Sequence, residues 1–274
     1  MMRSKLWIAT LASVLLVACG GVGRSPLGYW ADLSSEVVLA DVSGSEERFV
    51  EWAELLTKSD SVVQKSAVEE FVDAISKDEI CYYVYTEWAM NYLYGIWSPV
   101  RNEFAFEHIL HRMATEEATA VYDKSHINHL LKILRHNRQG GFAEDFRMYD
   151  VDGNESNLSD LRGNNVLLLV VDTTCPSCVD FIKLVESQRG IMKASRRGEL
   201  SLVVVAMSAS KEMLADFAKL HEGSMWQIFS ASRSDLDRAF YDVEASPMLF
   251  FLNPSGKIVV PMTRDVKAVE KSVL

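Results

Sequence analysis

The pattern of apolar and polar positions changes character near residue 141. From Ser45 to Gln139 apolar residues recur at helical spacing, as in Phe49, Trp52, Ala53 and Leu56 and again in Ile109, Met113, Leu130, Leu131 and Leu134. That stretch holds one glycine, Gly95, and one proline, Pro99. The pattern predicts five helices, over residues 46–57, 61–76, 79–94, 102–118 and 123–137. Asn102 opens the fourth as a capping residue, with acids behind it in the first turn. Gly140-Gly141 then breaks the period. Beyond it, Val166-Leu167-Leu168-Leu169-Val170-Val171 and Leu202-Val203-Val204-Val205-Ala206 are short continuous apolar runs, which suit strands buried on both faces. Met248-Leu249-Phe250-Phe251-Leu252 and Lys257-Ile258-Val259-Val260 flank Asn253-Pro254-Ser255-Gly256, a hairpin turn by composition. Amphipathic segments over 177–194, 210–221 and 232–241 lie between the runs. Strand, helix, strand, helix, a closing hairpin and a last helix describe a three-layer α/β unit behind an all-α one.

Composition adds limits. A length of 274 residues admits one or two domains. With 49% hydrophobic and 24% charged residues the chain is of ordinary globular type, not disordered or collagen-like. A net charge of −10 argues against a nucleic-acid partner, which requires basic groups to neutralise phosphates. The first residues carry Arg3 and Lys5 ahead of an uncharged run from Leu6 to Ala18, too short to span a bilayer. Leu16-Val17-Ala18-Cys19 resembles the lipobox of bacterial lipoproteins, in which the cysteine is acylated and becomes the new N-terminus. Removing that leader, with its two basic residues, takes the net charge to −12. An acidic body gains nothing from anionic lipid, so the acyl chains must anchor it. Gly20-Gly21-Val22-Gly23-Arg24-Ser25-Pro26 reads as a tether. Gly20 stands where the inner-membrane retention signal of enteric bacteria has Asp, and no acidic cluster follows. The expected location is therefore the cell envelope, on the outer membrane facing the periplasm, where disulfides are permitted.

The chemistry sits in Cys175-Pro176-Ser177-Cys178, directly after the 166–172 run. It opens a helix whose apolar face is Cys178, Phe181, Ile182 and Val185. A cysteine at a helix N-terminus faces unpaired N–H groups and the positive end of the macrodipole, which favour thiolate over thiol. Pro176 suits the first helical position, where a missing N–H costs nothing. Cys178, one turn in and facing the sheet, is placed to attack a mixed disulfide formed at Cys175, and the two-residue spacer lets the sulfurs meet in disulfide geometry. A zinc site needs a second ligand pair, which Cys19 and Cys81 are poorly placed to supply. Haem attachment needs a histidine after the second cysteine, where Val179 stands. An inert structural disulfide is the bland alternative.

Taken in order, these pieces resemble a thioredoxin-like domain of the TlpA/ResA thiol–disulfide oxidoreductase type. The likeness runs from a hairpin with Leu158-Ser159-Asp160-Leu161-Arg162-Gly163, through the strand and the cysteine motif, to Ala245-Ser246-Pro247-Met248. Upstream, Trp97-Ser98-Pro99-Val100-Arg101-Asn102-Glu103 resembles part of an uncharacterised helical domain that precedes thioredoxin domains in Gram-negative lipoproteins. The resemblance implies an α/β thioredoxin-like domain, a mixed sheet flanked by helices, preceded by an all-α domain. The implied division is a signal peptide over 1–18, Cys19 and a tether over 19–28, a helical domain over 29–141 and the thioredoxin-like domain over 142–274. It further implies Cys175 as nucleophile and Cys178 as resolving thiol. Pro247 would be the cis-proline of a substrate groove shared with Ser246, Thr174, Pro176 and Ser177, with the N–H and C=O of Ser246 left for a partner's backbone. The expected activity is reduction of protein disulfides, with no dissociable cofactor, no metal, and electrons from an upstream protein donor. Two departures stand out. Thr174 replaces the tryptophan before the first cysteine of thioredoxin, and Leu169 replaces its buried aspartate, leaving Asp172 as a candidate for proton transfer and Asp180 as a solvated carboxylate.

Other signals are weaker. His108 with His111 and His126 with His129 each share a helix face, without a cysteine or carboxylate to complete a known metal motif. Tyr82, Tyr85, Trp88 and Tyr92 form a stripe best read as helix core, with Cys81 as a buried free thiol beside it. Two alternative functions remain at this level: a redox-inactive scaffold on a thioredoxin fold, and a copper-handling relative using His221, the single histidine of the second half.

Overall fold

The computed structural model describes residues 25–115, 124–173 and 175–274. The leader and Cys19 fall outside these residues. The first half is helical: α1 (Ser35–Ala40), α2 (Val42–Thr57), α3 (Ser61–Ile75), α4 (Glu79–Trp88), α5 (Glu103–Met113) and α6 (Lys124–Arg135). Aspartate side chains start three of them: Asp41 accepts from Gly44 N–H, Asp60 from Val62 and Val63, and Asp78 from Ile80 and Cys81. The expected fourth helix is the shorter α5, capped as foreseen by Asn102 on the N–H of Ala105. The short α1 was not foreseen, because six residues carry too little periodicity. The aromatic stripe packs inward: Tyr82, Tyr85 and Trp88 are buried in one apolar cluster with Trp30, Phe49, Trp52 and Phe71. Trp52 stacks on Phe71 with centroids 4.7 Å apart, and Cys81 is buried as a free thiol.

The expected third helix does not run regularly to residue 94. After Trp88 it widens into a π-helical turn, Ala89–Tyr94, closed by Gly95 N–H on the carbonyl of Met90 at 2.9 Å. Gly95 is required there, since a Cβ would lie 2.1 Å from the Asn91 carbonyl oxygen. This turn delivers Tyr94 and the Gly95–Asn102 loop toward the second half of the chain.

That half is one mixed seven-stranded sheet in the order β2-β1-β5-β4-β3-β6-β7. Its strands are β1 (Arg147–Asp150), β2 (Glu155–Asn157), β3 (Asn165–Asp172), β4 (Leu200–Met207), β5 (Trp226–Ala231), β6 (Met248–Leu252) and β7 (Ile258–Thr263). The central β3 pairs parallel with β4 and antiparallel with β6. Its alternate residues enter two different cores, Leu167, Leu169 and Val171 on one face and Val166, Leu168 and Val170 on the other. That is why the run lacks polar alternation. The first core is covered by α7 (Pro176–Glu186), α8 (Arg189–Arg196), α9 (Lys211–Leu220) and α11 (Val266–Val273). The second is covered by Leu236 of α10 (Arg233–Arg238), Phe146, Leu158 and Tyr241. Three expectations are revised. Residues 177–194 form two helices, because the chain turns at Ser187-Gln188. The strand β5 has no counterpart among the apolar runs, since its polar Gln227 and Ser230 and its half-exposed positions hide the period. Leu158–Leu161 is a 3-10 turn that follows the β1–β2 hairpin, not part of it.

The two halves are joined by buried polar groups. Tyr94 donates to the Asp242 carboxylate at 2.7 Å, with both residues buried. Asn137 donates to the carbonyls of Ala239 and Phe240 and accepts from Glu144 N–H. Met262 of β7 packs against both the helical core and the sheet core.

Candidate active site

β3 carries the chain to the C-terminal end of the parallel strands, and main-chain bonds at Asp172 shape the turn into α7. Its N–H donates to Ser246 Oγ at 2.8 Å, and its C=O accepts from Cys175 N–H at 3.1 Å. Cys175 is the extended N-cap residue of α7, and Pro176 takes the first helical position. Residue 174 and the Pro176 side chain lie outside the described part of the structure, so the groove roles expected of Thr174 and Pro176 rest on sequence.

The two sulfurs are free thiols in unlike surroundings. Cys175 is half-buried, with its Sγ 3.0 Å from Ser177 Oγ. Burial works against its thiolate, but hydrogen bonds from the Cys178 thiol, the Ser177 hydroxyl and the N–H groups of Cys178 and Ser177 outweigh it, so its pKa falls below the ordinary value. Cys178 is 1% exposed among Phe181, Ile182 and Val185 of α7 and Leu167, Leu169 and Val171 of β3. Burial first, and then the hydrogen bond to Cys175, push its thiol up to about 11. Ser246 Oγ, 3.5 Å from Cys178 Sγ, pulls weakly the other way. The outer sulfur therefore ionises readily and the inner one holds its proton. Leu169 is fully buried in the cluster around Cys178, so hydrocarbon fills the place thioredoxin gives to an acid. Asp172 is half-buried at the end of β3, and Asp180 is exposed and paired with Lys183 at 3.5 Å.

Across from the thiols, the Ser246–Pro247 bond is cis and leads into β6. The carbonyl of Ser246 accepts from the Arg264 guanidinium, so one of its two lone pairs is taken. Arg264 also donates to the carbonyls of Pro247 at 3.0 Å and Ala245 at 3.5 Å, so it holds three consecutive carbonyls of this loop. Its guanidinium carbon lies 3.7 Å from the ring centroid of Trp97, a residue of the helical half. Burial lowers its pKa to about 10, and negative charge on the Cys178 or Cys175 sulfur would oppose that shift. Neither residue was a sequence candidate for the site. Trp97 stood out only as part of a family motif, and Arg264 is one arginine just past a strand.

The remaining candidates do not converge. His111 contacts Arg135 at 3.1 Å and Glu107 at 3.8 Å, and His129 pairs with Asp237 at 3.1 Å. Among the described residues no group of three His, Cys, Asp or Glu side chains is placed to hold a metal ion. His221 packs on the Phe217 ring with centroids 4.7 Å apart, and burial lowers its pKa. Burial pushes the Cys81 thiol up to about 11, which makes it a poor nucleophile. No helix among the described residues is long and apolar enough to cross a membrane.

Comparison with known proteins places this geometry in context. Residues 29–137 match the family model described as a domain of unknown function, DUF5106. The chain is 30% identical over 125 residues to the thiol-disulfide oxidoreductase ResA of Bacillus subtilis (strain 168), covering 46% of this chain and 67% of that protein. A thioredoxin-like protein from Bacteroides caccae ATCC 43185 superposes with a TM-score of 0.78 at 18% identity, over 98% of this chain and 99% of that one. The last match shows that the whole two-part fold has a solved counterpart.

Proposed function

Because this chain belongs to the thioredoxin-like thiol–disulfide oxidoreductases related to ResA, we propose that it exchanges disulfides with protein partners through Cys175 and Cys178, in the reducing direction. The observation that carries this reading is the unequal pair at the start of α7: a half-exposed sulfur with a lowered pKa and a buried one held protonated. The Cys175 thiolate attacks one sulfur of a partner's disulfide, forming a mixed disulfide and expelling the other sulfur as a thiolate, which takes a proton from water. Cys178 then loses its proton and attacks the Cys175 sulfur. The Cys175–Cys178 disulfide forms, the partner leaves with its second thiol, and two electrons have passed from this protein to the partner. A dithiol protein donor resets the pair. With no carboxylate at position 169, water or the departing thiolate takes up the Cys178 proton. No dissociable cofactor enters these steps.

In the same reading the mature chain is anchored by acyl groups on Cys19 in the cell envelope, facing the periplasm. The test is catalysis of insulin reduction by dithiothreitol. The wild-type chain should accelerate it, Cys175→Ser should abolish the acceleration, and Cys178→Ser should accumulate mixed disulfides. A wild-type chain that leaves the uncatalysed rate unchanged would point to a redox-inactive scaffold.

A further inference from the structure

The helical half reaches the redox site through a contact that runs across three residues. The Trp97 ring lies on Arg264, Arg264 donates to the carbonyl of Ser246, and Ser246 Oγ lies 3.5 Å from the Cys178 sulfur. Beside this relay a cleft of about 640 Å³ opens between the two halves, within the range of small binding sites. Ile96, Trp97 and Leu130 line it from the helical side, and Val243, Ser246 and Arg264 from the other. We propose that this cleft receives the segment flanking the partner's cysteine, and that Trp97 selects an apolar side chain next to that cysteine.

The inference rests on the exchange reading above and adds the partner's chemistry to it. Three observations support it. First, Arg264 takes one lone pair of the Ser246 carbonyl and presents its guanidinium at the cleft, so side-chain contacts add to any main-chain pairing here. Second, Trp97 is 67% exposed although it is the largest type of apolar side chain, and the guanidinium beneath it fixes the ring in place. A preorganised aromatic surface loses little freedom on binding. Third, the cleft borders the loop that flanks the thiol pair, since Ser246 lines it and Ser246 Oγ lies 3.5 Å from the Cys178 sulfur. The π-helical turn and Gly95 hold Trp97 there, and Tyr94 anchors the turn on Asp242, whose carboxylate also accepts from Glu244 N–H in the same loop.

The experiment uses the full mature chain and short peptides whose single cysteine is capped with thionitrobenzoate. The residue before the cysteine is Leu, Ala or Glu, and Ellman's disulfide serves as a small probe without side-chain contacts. The wild-type chain should react with the Leu peptide roughly tenfold faster than with the Ala peptide in kcat/KM. Trp97→Ala should reduce that preference to about twofold or less and Trp97→Phe should keep most of it, each rate being divided by the same protein's rate with Ellman's disulfide. A preference that survives in Trp97→Ala would overturn the proposal. So would an equal loss on Ellman's disulfide, which would make Trp97 a positioning residue for the loop only. Calorimetric titration with a Leu peptide carrying Ser for Cys separates the two readings. If no disulfide reacts but Trp97→Ala weakens that binding, the exchange reading fails and the cleft assignment stands. Binding that is absent, or equal in both proteins, overturns the cleft assignment.

Discussion

Ser246→Ala removes one oxygen that has two tasks, and the two effects can be measured separately. Ser246 Oγ accepts the N–H of Asp172 at 2.8 Å and lies 3.5 Å from Cys178 Sγ. Without it the half-buried Asp172 N–H loses its 2.8 Å hydrogen bond to that oxygen, which should destabilise the fold by about 0.5–1.5 kcal/mol. That loss should lower the midpoint of guanidinium unfolding without changing the slope. The second effect is kinetic. At a pKa of about 11 only roughly one Cys178 thiol in ten thousand is ionised at pH 7. The hydroxyl stabilises that thiolate, and losing a hydrogen bond of about 1 kcal/mol raises the pKa by roughly 0.7 unit, a fivefold fall in thiolate. A more basic thiolate is more nucleophilic, with a Brønsted slope of about 0.4–0.5, which recovers roughly twofold. Resolution of a mixed disulfide on Cys175 should therefore slow by roughly two- to threefold at pH 7. Stopped-flow release of a chromophoric thiol from a preformed mixed disulfide reads this directly. Unchanged stability together with unchanged resolution would refute the placement of Ser246 between β3 and the buried thiol.

Three further outcomes are expected. Iodoacetamide at pH 7 should modify Cys175 at least 100-fold faster than Cys178, because one thiol titrates below its ordinary range and the other at about 11; peptide mapping showing equal rates would reverse the assigned roles. Tyr94→Phe leaves the buried Asp242 carboxylate without its 2.7 Å donor and should lower stability by about 1–3 kcal/mol in urea unfolding, and a loss below about 0.3 kcal/mol would mean the halves are not joined there. Cys19→Ala should move the protein from the detergent phase to the aqueous phase of a Triton X-114 separation; a wild-type chain already in the aqueous phase contradicts lipidation.

Local chemistry made much of this protein readable in one dimension. The apolar runs at 166–171, 202–206 and 248–252 can only be satisfied with cover on both sides, so β3, β4 and β6 followed from sequence. Helix periodicity located α2, α3, α5 and α6, and Cys175-Pro176-Ser177-Cys178 carried its own helix-start chemistry. β5 stayed hidden because its pairing with β4 and β1, not its composition, makes it a strand. Arg264 and Trp97 stayed hidden for a related reason. They lie 167 positions apart and neither has a local partner that marks it. An arginine after a strand reads as solvated charge until folding brings three loop carbonyls and an indole ring around it. The sequence determined most of the elements and the reactive pair because their causes act within a few residues. Only the tertiary structure decided what surrounds that pair, since hydrogen bonds and ring contacts between distant segments depend on distance in space, which no local pattern encodes.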